Sequence, residues 1–394
     1  MGLEDIKKEN IATSAETETT ERERGIRQFL AESLPPTEER IQEPMNSLCE
    51  VCVVLPAYSE RNYILRPIAS LAKQKGINFD QFELIFVVNN PPSMPGRDNS
   101  QTENDYLKRI ELYKEGIGNN QETLKLIRYV QGENVEVSLS EQEKETIAAV
   151  QKSGLRVFAI DKASEGKMLP QAEANVGGAR NRGVAEAVER FHNQIGRNGI
   201  IAQSDAEIRF PESYIKNLIT IFKENPKLIG VTGHVDAESS PEDYTLFKKF
   251  FSYSEANELY TALVEHLFNE EEVEKTMPAH GTNVQDLKDS DIPSFDGSNM
   301  ASRAFEAAIA GGVPKLPGAE DPGFGFRLAE IGKTKKISTL KTVTIRRFSP
   351  RTTTGRGQIN IEIAENLKRQ GGFLVKSIEE IEFLRKLRGE FIKA

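Results

Sequence analysis

The chain has 394 residues, of which 38% are hydrophobic, and its formal net charge is −9. This length and composition allow one large domain or two ordinary ones with a substantial core. The negative charge argues against nucleic acid or an anionic membrane as the main partner, because either one favours a basic protein face. The sequence contains no apolar run of the roughly 20 residues that span a bilayer and no N-terminal signal pattern. We therefore expect a cytoplasmic protein without a transmembrane segment.

Residues 1–46 are rich in Glu, Thr, Lys and Arg and poor in aromatic residues. This composition predicts a charged N-terminal arm, mobile or helical, that lies outside the core and carries no chemistry. From Glu50 onward, short apolar runs alternate with helical stretches, a pattern typical of an α/β domain with a mostly parallel, buried sheet. We assign this domain to residues 47–345 and a cationic loop with helices to residues 346–394.

Five strands are predicted from the apolar runs. They are Val51–Leu55, Glu83–Val88, Leu155–Ile160, Gly199–Ala202 and Leu228–Thr232. One helix is predicted to begin near Glu60, after the first strand, and another at Pro211, after the fourth. The segment of about sixty mostly charged residues between the second and third strands is too long for a plain loop. It predicts a helical insertion at about 93–153, for which the sequence indicates no role.

The two cysteines, Cys49 and Cys52, lie three positions apart at the start of the first predicted strand. Residues i and i+3 of a strand point to opposite faces, so a disulfide between these two is not expected. A zinc site of four ligands also lacks partners. Both cysteines are therefore predicted to be packing residues.

Two acidic residues, Asp205 and Glu207, follow the fourth predicted strand directly. A strand that ends in this way places both carboxylates in the crevice at the carboxyl end of the sheet, where oxygen ligands can hold Mg²⁺ or Mn²⁺ against a diphosphate. The alternative interpretation is a solvated turn between strand and helix.

Polar residues also follow the other predicted strands. They are, in chain order, Pro56 to Glu60, Asn89 with Asn90, and Asp161 with Lys162. Because the carboxyl ends of parallel strands meet at one edge of a sheet, these residues are expected to line a single crevice with Asp205 and Glu207. Such a crevice suits a nucleotide-bound substrate.

Six segments carry motifs that occur in a fixed order between about residues 50 and 335. They are Val53–Glu60, Val87–Asn90, Gly178–Gly183, Asp205–Glu207, Phe295–Arg303 and Glu320–Asp321. In this order they resemble the motifs of the inverting glycosyltransferases of the GT-A fold, family 2 in particular. The resemblance implies an α/β, GT-A (Rossmann-like) fold: a mixed, mostly parallel sheet flanked by helices, with a helical insertion and N- and C-terminal extensions.

The resemblance also implies an activity and its reactants. It implies transfer of one sugar from a UDP- or GDP-linked sugar to a hydroxyl acceptor, which is a glycan, a lipid-linked group or a small molecule. It implies a divalent metal cofactor, Mn²⁺ or Mg²⁺. The chain contains no Trp, so it lacks the Gln-x-x-Arg-Trp motif of processive members, and a single transfer is expected.

The residues predicted to bind the nucleotide sugar lie at the strand ends and in the helix before the fourth strand. They are Pro56, Ala57, Tyr58, Glu60, Asn89, Asn90, Lys162, Arg180, Asn181 and Asp205. The resemblance implies this role for Ala57, Glu60, Asn89, Arg180 and Asp205 among them. Arg351 is added because four arginines in residues 345–357 make a cationic loop that could close over a diphosphate. For Arg180 the alternative interpretation is a salt-bridged helix residue.

The residues implied to bind the metal and the acceptor and to act as the base lie in the second half of the chain. The implied metal ligands are Asp205 and Glu207, with His280 as a possible third. The implied acceptor-binding residues are Asp296, Gly297, Ser298 and Asn299. Asp321 is implied to be the general base, Glu320 is the adjacent alternative base, and a helix cap is the alternative interpretation of Asp321. Gly297 is alternatively a residue that supplies a positive φ in a loop.

Three departures from the family pattern affect the donor site. Ser59 replaces the usual Asn, Asn89 and Asn90 replace carboxylates that read the base in relatives, and Glu207 replaces Asp. The identity of the base therefore stays open between uracil and guanine. A retaining transferase that makes a small glycoside and a catalytically silent GT-A scaffold also stay open as alternatives.

Overall fold

The computed structural model describes residues 20–91, 103–239, 295–316 and 318–346. The helices are α1 (20–33), α2 (Leu65–Leu71), α3 (Glu103–Val130), α4 (Glu141–Ser153), α5 (Val176–Glu189), α6 (Tyr214–Glu224), α7 (Ala304–Ile309) and α8 (Glu320–Ile331). The strands are β1 (Val51–Ala57), β2 (Phe82–Asn89), β3 (Arg156–Lys162), β4 (Ile200–Gln203), β5 (Leu228–Ser239), β6 (Met300–Arg303) and β7 (Lys333–Arg346). The candidate residues His280 and Arg351 lie outside the described residues, as does most of the predicted C-terminal extension.

The strands described form one seven-stranded sheet in the order β3-β2-β1-β4-β6-β5-β7. Strand β1 pairs in parallel with β2 and β4, and β2 pairs in parallel with β3. Strand β6 runs antiparallel to both β4 and β5. The predicted α/β fold with a mixed, mostly parallel sheet is therefore confirmed. The chain moves outward from β1 to β3 and then returns to β4, so the strand order reverses between β1 and β4, where ligand crevices form in such sheets.

Each face of the sheet is covered by its own hydrophobic cluster. One cluster includes side chains of α2, α3, α4 and α6, and the other includes side chains of α1, α5, α7 and α8. The parallel strands are apolar on both faces because helices cover both of them. The predicted insertion contains α3 and α4, and α4 begins with a capping box between Ser140 and Glu143.

The described part of the N-terminal arm belongs to the core, so the expectation that it lies outside is wrong. In α1, Ile26, Phe29 and Leu30 are buried in the second hydrophobic cluster. Their spacing of three and four residues places them on one helix face. Phe29 also packs on Gly312, where an added Cβ would lie 2.5 Å from its ring. The charged composition of the arm obscured this short apolar stripe.

Both cysteines are free and buried, as predicted, but the geometric reason for that prediction is wrong. Strand β1 begins at Val51, after Cys49, so strand alternation does not apply to the pair. Cys49 and Cys52 lie in the same hydrophobic cluster. Burial raises the pKa of the Cys52 thiol, and the nearby Cys49 and Glu83 add to this shift.

Two predicted helix starts also differ from the structure. Helix α2 begins at Leu65 because residues after Glu60 first form a turn, in which the N–H groups of Tyr63 and Ile64 donate to the Glu60 carbonyl. Helix α6 begins at Tyr214, after a turn that starts at Pro211. Within the described ranges, no helix combines the length and apolar composition that a bilayer crossing needs.

The packing of α1 generates a stability prediction. Phe29→Ala removes a ring that is 4% exposed, so we expect a loss of about 3–5 kcal/mol in the free energy of unfolding. The matched control is Gln28→Ala, because Gln28 is exposed and contacts Glu32 of the same helix. Its effect is expected to stay within about 0.5 kcal/mol. Equal denaturation midpoints for the two variants in urea would contradict the placement of α1 in the core.

Candidate active site

The strand ends bring the sequence-predicted residues to one edge of the sheet. Strand β1 ends at Ala57 and is followed by residues 58–60, β2 ends at Asn89, β3 ends at Lys162, and Asp205 follows β4. Helix α5 begins at the same edge, because it connects β3 to β4. Loop 295–299 and the start of α8 reach this edge through contacts with Asp205 and Arg180.

Arg180 of α5 lies at the centre of these contacts. It is 2% exposed, and its guanidinium donates to Asp205 Oδ1 at 2.6 Å and to Glu320 Oε1 at 3.3 Å. It also donates to the Ser204 carbonyl at 3.3 Å. Burial alone lowers the pKa of Arg180, but the charges of Asp205, Glu320 and Asp321 raise it above its ordinary value. These contacts match the alternative interpretation, a salt-bridged helix residue.

Asp205 connects the end of β4 to loop 295–299. Its Oδ1 accepts from Arg180, and its Oδ2 accepts from Ser298 Oγ at 2.6 Å. The Ser204 hydroxyl donates to the Ser298 carbonyl at 2.5 Å, which adds a second link. Asp205 is still half-buried rather than enclosed, with 33% of its side chain exposed. The acidic motif and the predicted acceptor loop therefore form one hydrogen-bonded unit.

Asp205 and Glu207 are the carboxylates at this edge that are predicted to bind a divalent metal. Among the described residues there is no group of three or more His, Cys, Asp or Glu side chains that could hold a metal ion. Mg²⁺ in nucleotide sites is usually bound by one or two carboxylates plus substrate phosphates, so a smaller protein donor set suffices. Asp205 and Glu207 are both half-buried, and each carboxylate oxygen has two lone pairs, so Asp205 keeps acceptor capacity. These two residues fit that donor set.

Glu320 and Asp321 begin helix α8, where they have different environments. Glu320 is buried and paired with Arg180, whereas Asp321 is half-buried and its Oδ2 accepts from the Gly297 N–H at 2.7 Å. Burial raises the pKa of both carboxyl groups above their ordinary values. Ala319, the residue before them, has φ +58°, a left-handed conformation that costs a non-glycine residue about 1–2 kcal/mol.

Gly297 is required for its small size rather than for its backbone conformation. Its φ is not positive, so the alternative interpretation from the sequence is wrong. A Cβ at this position would lie 2.8 Å from Arg180 Nη2 and 3.1 Å from Asp321 Oδ2. A side chain at position 297 would have to displace the Arg180 guanidinium from its present position.

The remaining predicted acceptor residues hold the loop together. Asp296 Oδ1 accepts from the Ser298 N–H at 2.9 Å. Asn299 is fully buried, donates to the carbonyls of His234 and Leu340, and accepts from the Tyr214 hydroxyl at 3.0 Å. The Asn299 side chain therefore connects loop 295–299 to β5, β7 and α6.

The two asparagines at the end of β2 differ in their contacts. The Asn90 amide donates to the Ala163 carbonyl at 2.6 Å and accepts from Asn120 Nδ2 at 2.7 Å. Asn89 Nδ2 is 3.4 Å from the carbonyl of Asn175, the N-cap of α5, and its buried Oδ1 has no hydrogen-bond partner. Asn89 therefore keeps an acceptor at the carboxyl edge of the sheet.

Other residues predicted to bind the nucleotide sugar make contacts with the N-terminal segment. Lys162 forms an ion pair with Glu39 of the N-terminal segment. Asn181 Nδ2 is 3.4 Å from Ser33 Oγ of α1, so this side chain faces α1. Ala57 and Glu60 are buried, and Pro56 and Tyr58 are half-buried, at the end of β1 and in the following loop.

Sequence reasoning missed Asn120 and Glu39. Glu39 gives no local signal, because its partner Lys162 lies 123 positions away. Asn120 follows Gly116, Gly118 and Asn119 within a 28-residue helix. Gly and Asn are poor helix formers, and several of them in the middle of a helix indicate a local requirement other than helix stability.

Comparisons with known proteins yield similar structures but no sequence match. No protein-family model and no curated protein matches the sequence. The mannosyltransferase PcManGT from Pyrobaculum calidifontis, solved with GDP-Man and Mn²⁺, is 12% identical with a TM-score of 0.37, over 84% of this chain and 67% of that chain. Residues 1–349 of S. aureus TarS, solved with UDP-GlcNAc, are 12% identical with a TM-score of 0.38, over 80% of this chain and 65% of that chain. The similarity is one of fold alone.

The charged cluster generates a pH-dependent stability prediction. Arg180→Gln leaves Asp205, Glu320 and Asp321 without their buried counter-charge, so we expect a loss of about 3–5 kcal/mol in the free energy of unfolding at neutral pH. The loss should shrink at about pH 5, because burial raises the pKa of Glu320 and of Asp321, and their protonation removes two of the uncompensated charges. Urea denaturation at the two pH values measures this difference. Arg128→Gln, which breaks only an exposed pair with Glu133, is the control, and a pH-independent loss in Arg180→Gln would contradict the assignment.

Proposed function

We propose that this chain is a metal-dependent glycosyltransferase that moves a single sugar from a nucleoside diphosphate sugar to a hydroxyl acceptor with inversion. The observation that carries the proposal is the convergence of Asp205 and Asp321, from motifs 116 positions apart, on Arg180 at the carboxyl edge of the sheet. This edge lies beside the point of strand-order reversal, where ligands bind in open α/β sheets.

On the donor side, Asp205 and Glu207 would hold Mn²⁺ or Mg²⁺. When bound, such a metal supplies Lewis-acid stabilisation of the negative charge that develops on a leaving diphosphate. Arg180 balances the charge of Asp205 and thereby keeps an acidic edge compatible with an anionic donor. Asn89 offers its Oδ1 acceptor to a hydrogen-bond donor of the nucleotide.

On the acceptor side, Asp321 is a better candidate base than Glu320. Glu320 is buried in its ion pair with Arg180, whereas Asp321 is more accessible and is oriented by the Gly297 N–H. An acceptor hydroxyl must lose its proton as it attacks the anomeric carbon, and that proton moves to the Asp321 carboxylate. The raised pKa of Asp321 makes it a stronger base than an ordinary aspartate. One displacement on the face opposite the leaving diphosphate inverts the anomeric centre.

A nucleotide-binding scaffold without transferase activity is the second candidate. It is favoured by the contact of Arg180 with Asp205, because a carboxylate already paired with a buried cation attracts a metal less strongly. The two candidates differ in whether sugar transfer occurs once a donor is bound.

The proposal is tested by titrating UDP and GDP into the protein in a calorimeter, each with and without Mn²⁺. Metal-dependent binding of one nucleotide is expected, and it identifies the base of the donor. Glu207→Ala should remove the metal dependence, because it removes one of the two carboxylates of the donor set. The absence of binding by either nucleotide would contradict the proposed function. Binding without sugar transfer to any acceptor in a screen would favour the scaffold.

Asp321→Asn should separate binding from chemistry. The variant is expected to keep wild-type nucleotide binding and to lose about 10²–10⁴-fold in transfer rate, because an amide cannot accept the proton. In the wild type, transfer should rise with pH as the carboxyl group of Asp321 ionises through its raised pKa. Initial rates across pH measure both effects. Equal losses of binding and transfer in this variant would contradict the assigned role.

The same variant should be more stable than the wild type at neutral pH. Because burial raises the pKa of folded Asp321, stability is fully present below the pKa of the unfolded state and declines as pH rises through the folded pKa. Replacing the carboxylate by an amide removes that decline. The free energy of unfolding of Asp321→Asn should therefore exceed that of the wild type at about pH 7. The two values should converge toward about pH 3, where residue 321 is neutral in both proteins. Destabilisation by Asp321→Asn at neutral pH would contradict this sign.

A further inference from the structure

The middle of helix α3 packs on the loop that follows β1. Asn119 Oδ1 accepts from the Arg61 N–H at 2.9 Å, and Arg61 also pairs with Glu143 of α4 at 2.7 Å. One turn earlier, a Cβ on Gly116 would overlap the hydroxyl of Tyr58. Gly116 and Asn119, which are weak helix formers, therefore lie where the insertion contacts residues 58–61.

Asn120 connects the ends of two neighbouring strands through one amide. It is fully buried, and its Oδ1 accepts from the Ser59 N–H at 2.7 Å. Its Nδ2 donates to the Asn89 carbonyl at 3.0 Å and to Asn90 Oδ1 at 2.7 Å. Ser59 follows β1, Asn89 is the last residue of β2 and Asn90 follows it, so this side chain connects the two strand ends.

Asn120 contacts one residue, Ser59, whose backbone conformation is unfavourable. Ser59 has φ +58°, a left-handed conformation that is unfavourable for a non-glycine residue and persists when surrounding contacts enforce it. The hydrogen bond from its N–H to Asn120 is one such contact. Asn120 also fixes the orientation of the Asn90 amide, whose Nδ2 then donates to the Ala163 carbonyl.

We propose that Asn120 is a positioning residue of the donor site: its amide holds the loop of Ser59 and the Asn89–Asn90 strand end in the geometry that binds a nucleoside diphosphate. The insertion thereby sets donor affinity without contacting the reacting atoms. This inference rests on the proposed function, because the donor site is part of that proposal.

The test compares Asn120→Asp and Asn120→Ala with the wild type. The aspartate can still accept from the Ser59 N–H, but it places a carboxylate against the oxygens of Asn89 and Asn90. The alanine loses the hydrogen bond with Ser59 and those with Asn89 and Asn90. Loss of buried hydrogen bonds of this kind predicts a Kd for UDP or GDP that is weaker by about 10- to 100-fold. KM for the donor should rise by a similar factor while kcat changes less than about threefold, because Asp321 is not affected.

A matched pair of glycines provides variants that leave the Asn120 side chain unchanged. Gly116→Ala should displace Tyr58 and weaken nucleotide binding, whereas Gly118→Ala has open space for its Cβ and should bind as the wild type does. Both substitutions improve helix propensity equally, so a difference in Kd between them cannot come from helix stability. Glu122→Gln, which affects only a surface pair with Lys125, is a second control on the same helix.

Three measurements on each protein decide the outcome: nucleotide Kd by calorimetry, melting temperature, and amide hydrogen exchange of residues 57–62. Weaker binding with faster exchange of this segment, in variants that still melt cooperatively, is the expected result. If the wild type binds a nucleotide and the Asn120 variants bind it equally well, the positioning role is wrong and the proposed function stands. If the wild type binds neither nucleotide, the proposed function is wrong and the donor-site role falls with it.

Discussion

A guanidinium buried among carboxylates constrains the whole candidate site. Arg180 is 2% exposed, and a cation in such a place is tolerated only when it is paired and hydrogen-bonded. Its partners come from the end of β4 and the start of α8, so the ion pairs fix the position of α8 relative to the parallel part of the sheet. The same contacts leave Asp321 half-buried beside the cluster. Burial raises the pKa of Asp321, and the hydrogen bond from the Gly297 N–H and the positive charge of Arg180 partly oppose that rise.

Close approach is the second requirement of the site. Loop 295–299 reaches Arg180 and Asp321 because Gly297 has no side chain, and Ser298 then donates to Asp205. Two non-glycine residues in left-handed conformations, Ser59 and Ala319, stand directly before residues with proposed roles. Such strain persists when the surrounding structure enforces it, and it is found at functional sites more often than elsewhere. Both positions thus agree with the location of the site that the charges indicate.

The insertion between β2 and β3 takes part in the same arrangement. Helix α3 packs its apolar residues on one face of the sheet and uses Asn119 and Asn120 to bind the backbone after β1 and β2. On the other face, the N-terminal segment contributes α1 to the core and Glu39 to Lys162. Segments that look peripheral in sequence therefore support the crevice from both sides.

Local pattern was sufficient for β1 to β5 and for the residues at the carboxyl edge of the sheet, but it did not predict β6 or β7. The strand runs around Val53, Ile85 and Val157 are largely apolar on both faces, as is typical of a parallel sheet covered by helices. An Asp directly after a parallel strand lies at the carboxyl edge of the sheet. The burial of Arg180, the pairing of Lys162 with Glu39, the bridge through Asn120 and the packing of α1 could not be predicted in this way. Each depends on which distant segment lies opposite, and a sequence pattern reports the face that a residue occupies but not its partner across the space. The sequence thus determined the chemistry available at the edge of the sheet, and the tertiary structure decided which of those groups are paired internally and which stay accessible.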